Sequence, residues 1–116
     1  MFSEQPVTVN ADAEQLRQVL LNLVLNAFDA VGHNGTVTMD AVSGPEGQTI
    51  LKVSDSGPGI DDDIRERLFD PFVSSKESGT GLGLTICRRI VEQHGGTIDA
   101  TNRPEGGAEF SVRLRA

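Results

Sequence analysis

Cysteine is nearly absent from this 116-residue chain: Cys87 stands alone, so no internal disulfide can form, and a reducing cytoplasmic setting is the simplest expectation. Positive charge is scarce as well. Ten Lys and Arg face seventeen Asp and Glu, a net charge of −7 that argues against nucleic acid as the main partner. Long apolar runs are missing; Asn or Arg interrupts each one, which excludes a membrane-spanning segment. The opening residues Met1-Phe2-Ser3-Glu4-Gln5 lack the basic and apolar stretches of a secretory leader. No Ser-His-Asp set, cysteine-based site or zinc-ligand spacing is present, and the two histidines lie in turn-like contexts, Gly32-His33-Asn34-Gly35 and His94-Gly95-Gly96. At a helix end, His94 as an imidazolium would suit the dipole.

What remains is a composition fit for one globular domain, expected to cover 1–116, with 37% hydrophobic and 23% charged residues. Asp12-Ala13-Glu14-Gln15 reads as a capping box that opens a helix running to about Val31, before Gly32 and Asn34-Gly35. Thr36 to Val42 and Gln48 to Asp55 read as strands joined by a turn at 43–47. Asp61 to Leu68 reads as a short helix and 69–80 as a mobile polar loop. Gly81 to Gln93 reads as a second long helix. Thr97 to Thr101 and Ala108 to Leu114 then read as strands around a turn at 103–107. Phe110, Val112 and Leu114 alternate with Glu109, Ser111 and Arg113. One wet face predicts an α+β domain, with helices stacked on the other face of a mainly antiparallel sheet.

Four polar signatures follow one another along this framework. On the first helix, taking Asn22 as zero, Asn26 falls at about 40°, Asp29 at about −20°, Gln18 at about −40° and Gln15 at about 20°. Apolar side chains occupy both flanks, which predicts a buried helix. The polar stripe is then either a satisfied amide ladder or one wall of a pocket holding hydrated magnesium, for which an amide oxygen is a suitable hard ligand. Asp55-Ser56-Gly57-Pro58-Gly59-Ile60 follows a strand. It is an ordinary turn sequence, and also a place where glycine permits close backbone approach. Phe69-Asp70-Pro71-Phe72 puts two of the five Phe residues into a polar loop. Gly79-Thr80-Gly81-Leu82-Gly83-Leu84 opens the second long helix, either as a flexible linker or as an anion cradle at the positive end of the dipole. It lacks the following Lys of a P-loop. Lys76 is the best-placed cation for phosphate, or else a solvated loop lysine.

In this order the segments resemble the N, G1, F and G2 boxes of the catalytic ATP-binding domain of two-component sensor histidine kinases. These kinases are related to the gyrase, heat-shock chaperone and mismatch-repair ATPases, and the resemblance covers nearly the whole chain. It implies a two-layer α/β sandwich of the Bergerat (GHKL) type, a mixed but mostly antiparallel sheet, and an ATP lid over about 61–80. It also implies ATP and Mg²⁺ as ligands, with Asn26 on the metal and Asp55 accepting from the exocyclic amine of adenine. Asn22, Asp29, Gly57, Gly59, Ile60, Phe72, Lys76 and the run Gly79, Thr80, Gly81, Leu82, Gly83 and Leu84 would complete the nucleotide site. Asn22, Asn26 and Lys76 would serve transfer itself.

Asn22 stands where the ATP-hydrolysing relatives carry a water-activating Glu; an amide cannot take that proton. Gly106-Gly107-Ala108-Glu109-Phe110 resembles the family's final glycine box, in which Thr is common at the position of Ala108. The helix and strand that usually precede the point matching Val7 are not evident, so the chain reads as a segment of a longer kinase. Neither His33 nor His94 sits in a phosphoacceptor motif. The acceptor His would then come from a dimerisation domain, with a response regulator downstream and no membrane contact by this domain. A sensing or pseudokinase module that binds ATP without transfer is the alternative. An ATP-hydrolysing clamp is disfavoured by Asn22 and the short lid.

Overall fold

The computed structural model of the protein describes residues 11–65, 67–70 and 83–115. Helix α1 (Ala13–Val31) begins where Asp12 Oδ1 accepts from the Gln15 N–H at 3.0 Å, and ends at Gly32, whose φ is 67°. The reciprocal half of a capping box does not form. The Asp12 N–H instead donates to His94 Nε2 at 3.1 Å, so the end of one helix caps the start of the other. Because that nitrogen must accept, the ring proton sits on Nδ1, which donates to the Ile90 carbonyl at 2.7 Å. Both ring nitrogens are thus engaged, tying the end of the later helix to the start of α1.

Strands β1 (Val37–Ser43), β2 (Gln48–Asp55), β3 (Thr97–Asn102) and β4 (Ala108–Arg115) form one sheet in the order β1-β2-β4-β3. Every pairing among them is antiparallel, so no parallel pair occurs among the described strands. The strand bounds lie within a residue or so of those expected, because Gly-rich turns punctuate the chain at 44–47 and 103–107. Helix α2 (Asp62–Arg65) is shorter than expected. Past it the chain tightens into i to i+3 turns, such as Asp70 N–H to Arg67 O at 2.9 Å, which bring the Phe69 ring edge-on to Phe110 with centroids 6.2 Å apart. Helix α3 is described over Gly83–Gln93.

The register places Val53 opposite Phe110 and Leu51 opposite Val112, with Ala100 and Ile98 on the far side of the same two β4 residues. The resulting apolar sheet face packs against Val19, Leu23 and Ala27 of α1 and Cys87, Ile90 and Val91 of α3. On the opposite sheet face, Lys52 and Glu109 pair at 3.6 Å. In two layers only one side of α1 can be covered. Leu21, Leu25 and Phe28, on the outer side, are 54%, 52% and 55% exposed, contrary to the expectation of a fully buried helix.

Cys87 is fully buried between the helices, its Sγ 3.7 Å from the Val19 carbonyl. Burial pushes its thiol from 9.0 up to about 11, against the opposing pull of the Asn22 side chain and of its own backbone. Between those values the unfolded chain gives up the proton and the folded one keeps it, so stability falls as pH rises. The expected loss from pH 9 to pH 11 is about 2 kcal/mol. Denaturant titrations of wild type and Cys87→Ala at both pH values check it: the extra alkaline loss should be confined to the wild type.

Candidate functional site

The C-terminal half of α1, the loop after β2 and the start of β4 enclose a cavity of about 380 Å³, within the range of small-ligand sites. Part of the lining is polar: Asn26 and Asp29 come from α1, Asp55 from the end of β2, and Asp61 from the loop that follows. The rest is largely apolar, with Ile60, Ile64, Leu68, Leu84 and Phe110. Apolar lining with a few acceptors suits a heterocycle with exocyclic donors.

Asp55 is held from several directions. It is 2% exposed, and its Oδ1 accepts from the Gly57 N–H at 2.9 Å and the Ala108 N–H at 3.3 Å. Its main-chain carbonyl accepts from Arg103 Nη1 at 2.9 Å. Two glycines make this packing possible. A Cβ on Gly57 would stand 2.7 Å from the Ala30 carbonyl oxygen, and one on Gly107, where φ is 91°, would stand 1.8 Å from the Asp55 carbonyl oxygen.

Of the residues singled out in the sequence, Asn26, Asp29, Asp55, Gly59, Ile60 and Leu84 line the cavity, and Gly57 braces Asp55 beside it. Asn22, half-buried one turn before Asn26, meets the Cys87 thiol instead of lining the cavity. Gly83 is exposed at the described start of α3. Phe72, Lys76, Gly79, Thr80, Gly81 and Leu82 lie outside the described residues, as does most of the expected lid loop.

Several lining residues escaped sequence reasoning. Ile64 and Leu68, four apart, carried a readable helical signal, and Phe110 was legible only as a core residue of an alternating strand. Ala108, expected near the glycine box without a role, contributes its N–H to Asp55. Arg103 gave no signal, since its contact spans 48 residues.

Among the described residues no three His, Cys, Asp or Glu side chains converge to hold a metal ion. The donor set on the α1 wall, an amide and a carboxylate, is hard and oxygen-based. It fits a magnesium ion that keeps most of its waters and is shared with phosphates. No described helix is long and apolar enough to cross a membrane.

Comparison with known proteins identifies the family and agrees with the fold. The family described as histidine kinase-, DNA gyrase B- and HSP90-like ATPase matches residues 11–116. The sensor histidine kinase ZraS of Klebsiella oxytoca is 44% identical over 115 residues, which is 97% of this chain. The chain spans about a quarter of the length of that curated relative, the match covering 25% of it. The nucleotide-free catalytic domain of histidine kinase ThkA superposes with a TM-score of 0.87 at 38% identity, covering 98% of this chain and 74% of that one. ThkA has also been solved in complex with the response regulator protein TrrA, at a TM-score of 0.81 and 36% identity, covering 98% of this chain and 32% of that one. Full-length ShkA in complex with AMPPNP gives 0.85 at 35% identity, covering 97% of this chain and 24% of that one. With four antiparallel strands and one helical layer among the described residues, and a cavity beside Asp55, the chain belongs to the HATPase_c family of histidine kinase-, gyrase B- and HSP90-like ATPases.

Proposed function

We propose that this chain binds Mg–ATP in the cavity and gives the γ-phosphate to a histidine on a separate dimerisation domain, from which a response regulator would take it. The observation that carries the proposal is the convergence of Asn26, Asp29 and a braced Asp55 on one cavity whose remaining lining is largely apolar. Asp55 Oδ1 is held by two backbone N–H groups, so Oδ2 is the atom assigned to the exocyclic amine of adenine. Ile60, Ile64 and Leu68 exclude water from the base. Asn26 would hold the metal through its amide oxygen, with Asp29 beside it in the lining. The metal would supply neutralisation of the phosphate charge.

Asn22 offers no basic carboxylate to activate water, so ATP waits for a positioned nucleophile. His94 is not that nucleophile, because both of its ring nitrogens are engaged between α1 and α3. Transfer then depends on in-line presentation of the acceptor histidine by the added domain, a gain that comes from positioning. Any cytoplasmic placement follows from the same reading.

Base selectivity tests the orientation. Guanine presents a carbonyl where adenine presents its amine, so it would set two acceptors against each other at Asp55. Competition titrations should show GTP binding at least a hundredfold more weakly than ATP, on the scale of a site that loses a buried hydrogen bond. Equal competition would reduce Asp55 to a turn residue.

A further inference from the structure

The loop from Ser56 to Asp61 makes one edge of the cavity yet belongs to no helix or strand, so its shape must be imposed from outside. The clasp comes from the β3–β4 turn. Asn102, the last residue of β3, turns its amide onto a single loop residue 42 positions away. Its Oδ1 accepts from the Ile60 N–H at 2.7 Å and its Nδ2 donates to the Ile60 carbonyl at 3.0 Å. A carboxamide offers an acceptor and a donor side by side in one plane, and so can satisfy both backbone groups of one residue. Gly59 makes room for it: its φ is 88°, and a Cβ there would lie 2.8 Å from Asn102 Oδ1.

Arg103, next in the chain, reaches the other end of the same loop, donating from Nη1 to the Asp55 carbonyl at 2.9 Å. Its Nε lies 3.2 Å from Glu105 Oε1, which anchors the guanidinium. The Glu105 carboxyl is held below its ordinary range, first by its own backbone N–H and next by Arg103. The turn that carries both residues is itself closed by the Arg103 N–H to Gly107 carbonyl bond at 2.8 Å.

We propose that Asn102 and Arg103 are positioning residues for purine selectivity: together they pin both ends of the Asp55–Ile60 loop and so fix the carboxylate that reads the base. This rests on the reading that Asp55 accepts from adenine. A hydrogen bond to the base weakens steeply with distance and angle, so a loop released at either end blurs the reading of the 6-amino group. Asn26 and Asp29, the polar α1 residues of the cavity lining, are touched by neither substitution.

The comparison that separates positioning from general destabilisation uses two probes, ATP and purine riboside triphosphate, which lacks only the 6-amino group, each titrated with Mg²⁺ by calorimetry. Wild type should favour ATP by about tenfold or more, the scale of one hydrogen bond to a charged acceptor. Asn102→Ala and Arg103→Ala should each cut that preference at least threefold, with affinity for purine riboside triphosphate changed less than twofold. Arg103→Lys, which keeps a donor for the Asp55 carbonyl, should restore part of it.

If Asn102→Ala fails to fold, Asn102→Asp carries the same comparison, since it keeps an acceptor but loses the donor. A preference undiminished in the folded variants overturns the inference and leaves the adenine reading standing. A wild type that does not distinguish the two triphosphates overturns both. Hydrogen exchange gives a reading that needs no nucleotide: the Ile60 amide should be protected in the free wild type and exchange at least tenfold faster in the Asn102 variant. Unprotected exchange in the wild type also overturns the inference.

Discussion

Gly107→Ala should destabilise the chain by about 3 kcal/mol or more and remove nucleotide binding with it. The new Cβ would stand 1.8 Å from the Asp55 carbonyl oxygen and 3.0 Å from the Ser56 Cα. Those are backbone atoms at the end of β2, so no side-chain rotation relieves the overlap. The strand must retreat, and Asp55 moves with it. A positive φ of 91° adds strain for any L side chain. Gly106→Ala is the natural control. Its φ is 106°, so the backbone strain is comparable, but nothing lies within 4 Å of the added atom. Urea titrations of the two variants separate strain from collision. Equal losses would mean that the end of β2 yields freely and that Asp55 is less firmly held than its contacts indicate.

Asn26→Ala should weaken Mg-dependent binding of ATP and ADP by about 2–3 kcal/mol, or roughly 30–150-fold, while the fold persists. Asn26 lies half-buried on the cavity side of α1, flanked by core residues such as Leu23 and Ala27 that hold the helix without it. Alanine at that position also favours helix. The loss should appear only when Mg²⁺ is present, because the amide acts on the nucleotide through the metal. Calorimetry with Mg²⁺ and with EDTA, on wild type and variant, reads this out. An affinity unchanged by the substitution would remove Asn26 from the metal.

How far the sequence could be read depended on the range of each interaction. The four strands were legible because glycine and proline mark the turns and Phe110, Val112 and Leu114 alternate without error. The start of α1 was legible at Asp12, whose cap is local. Its second partner, His94, lies 82 residues away and was not. Leu21, Leu25 and Phe28 misled in the opposite direction, since apolar residues all round a helix suggest two covered sides where this fold provides one. At the cavity, Asn26, Asp29, Asp55, Gly59, Ile60 and Leu84 could be named in advance. Asn102 and Arg103 could not, because nothing local distinguishes a turn residue that ends on a distant loop.

The central claim is that the chain supplies Mg–ATP to another domain's histidine and does not spend it on water. The most direct measurement mixes the chain, Mg²⁺ and ATP labelled at the γ-phosphate, with and without a matching dimerisation domain. The account predicts negligible phosphate release and no label on the chain alone, followed by acid-labile label on the added domain. Rapid phosphate release by the chain alone would contradict the role given to Asn22. Firm ATP binding with no label transferred under any condition would contradict the kinase reading in favour of a nucleotide-sensing module.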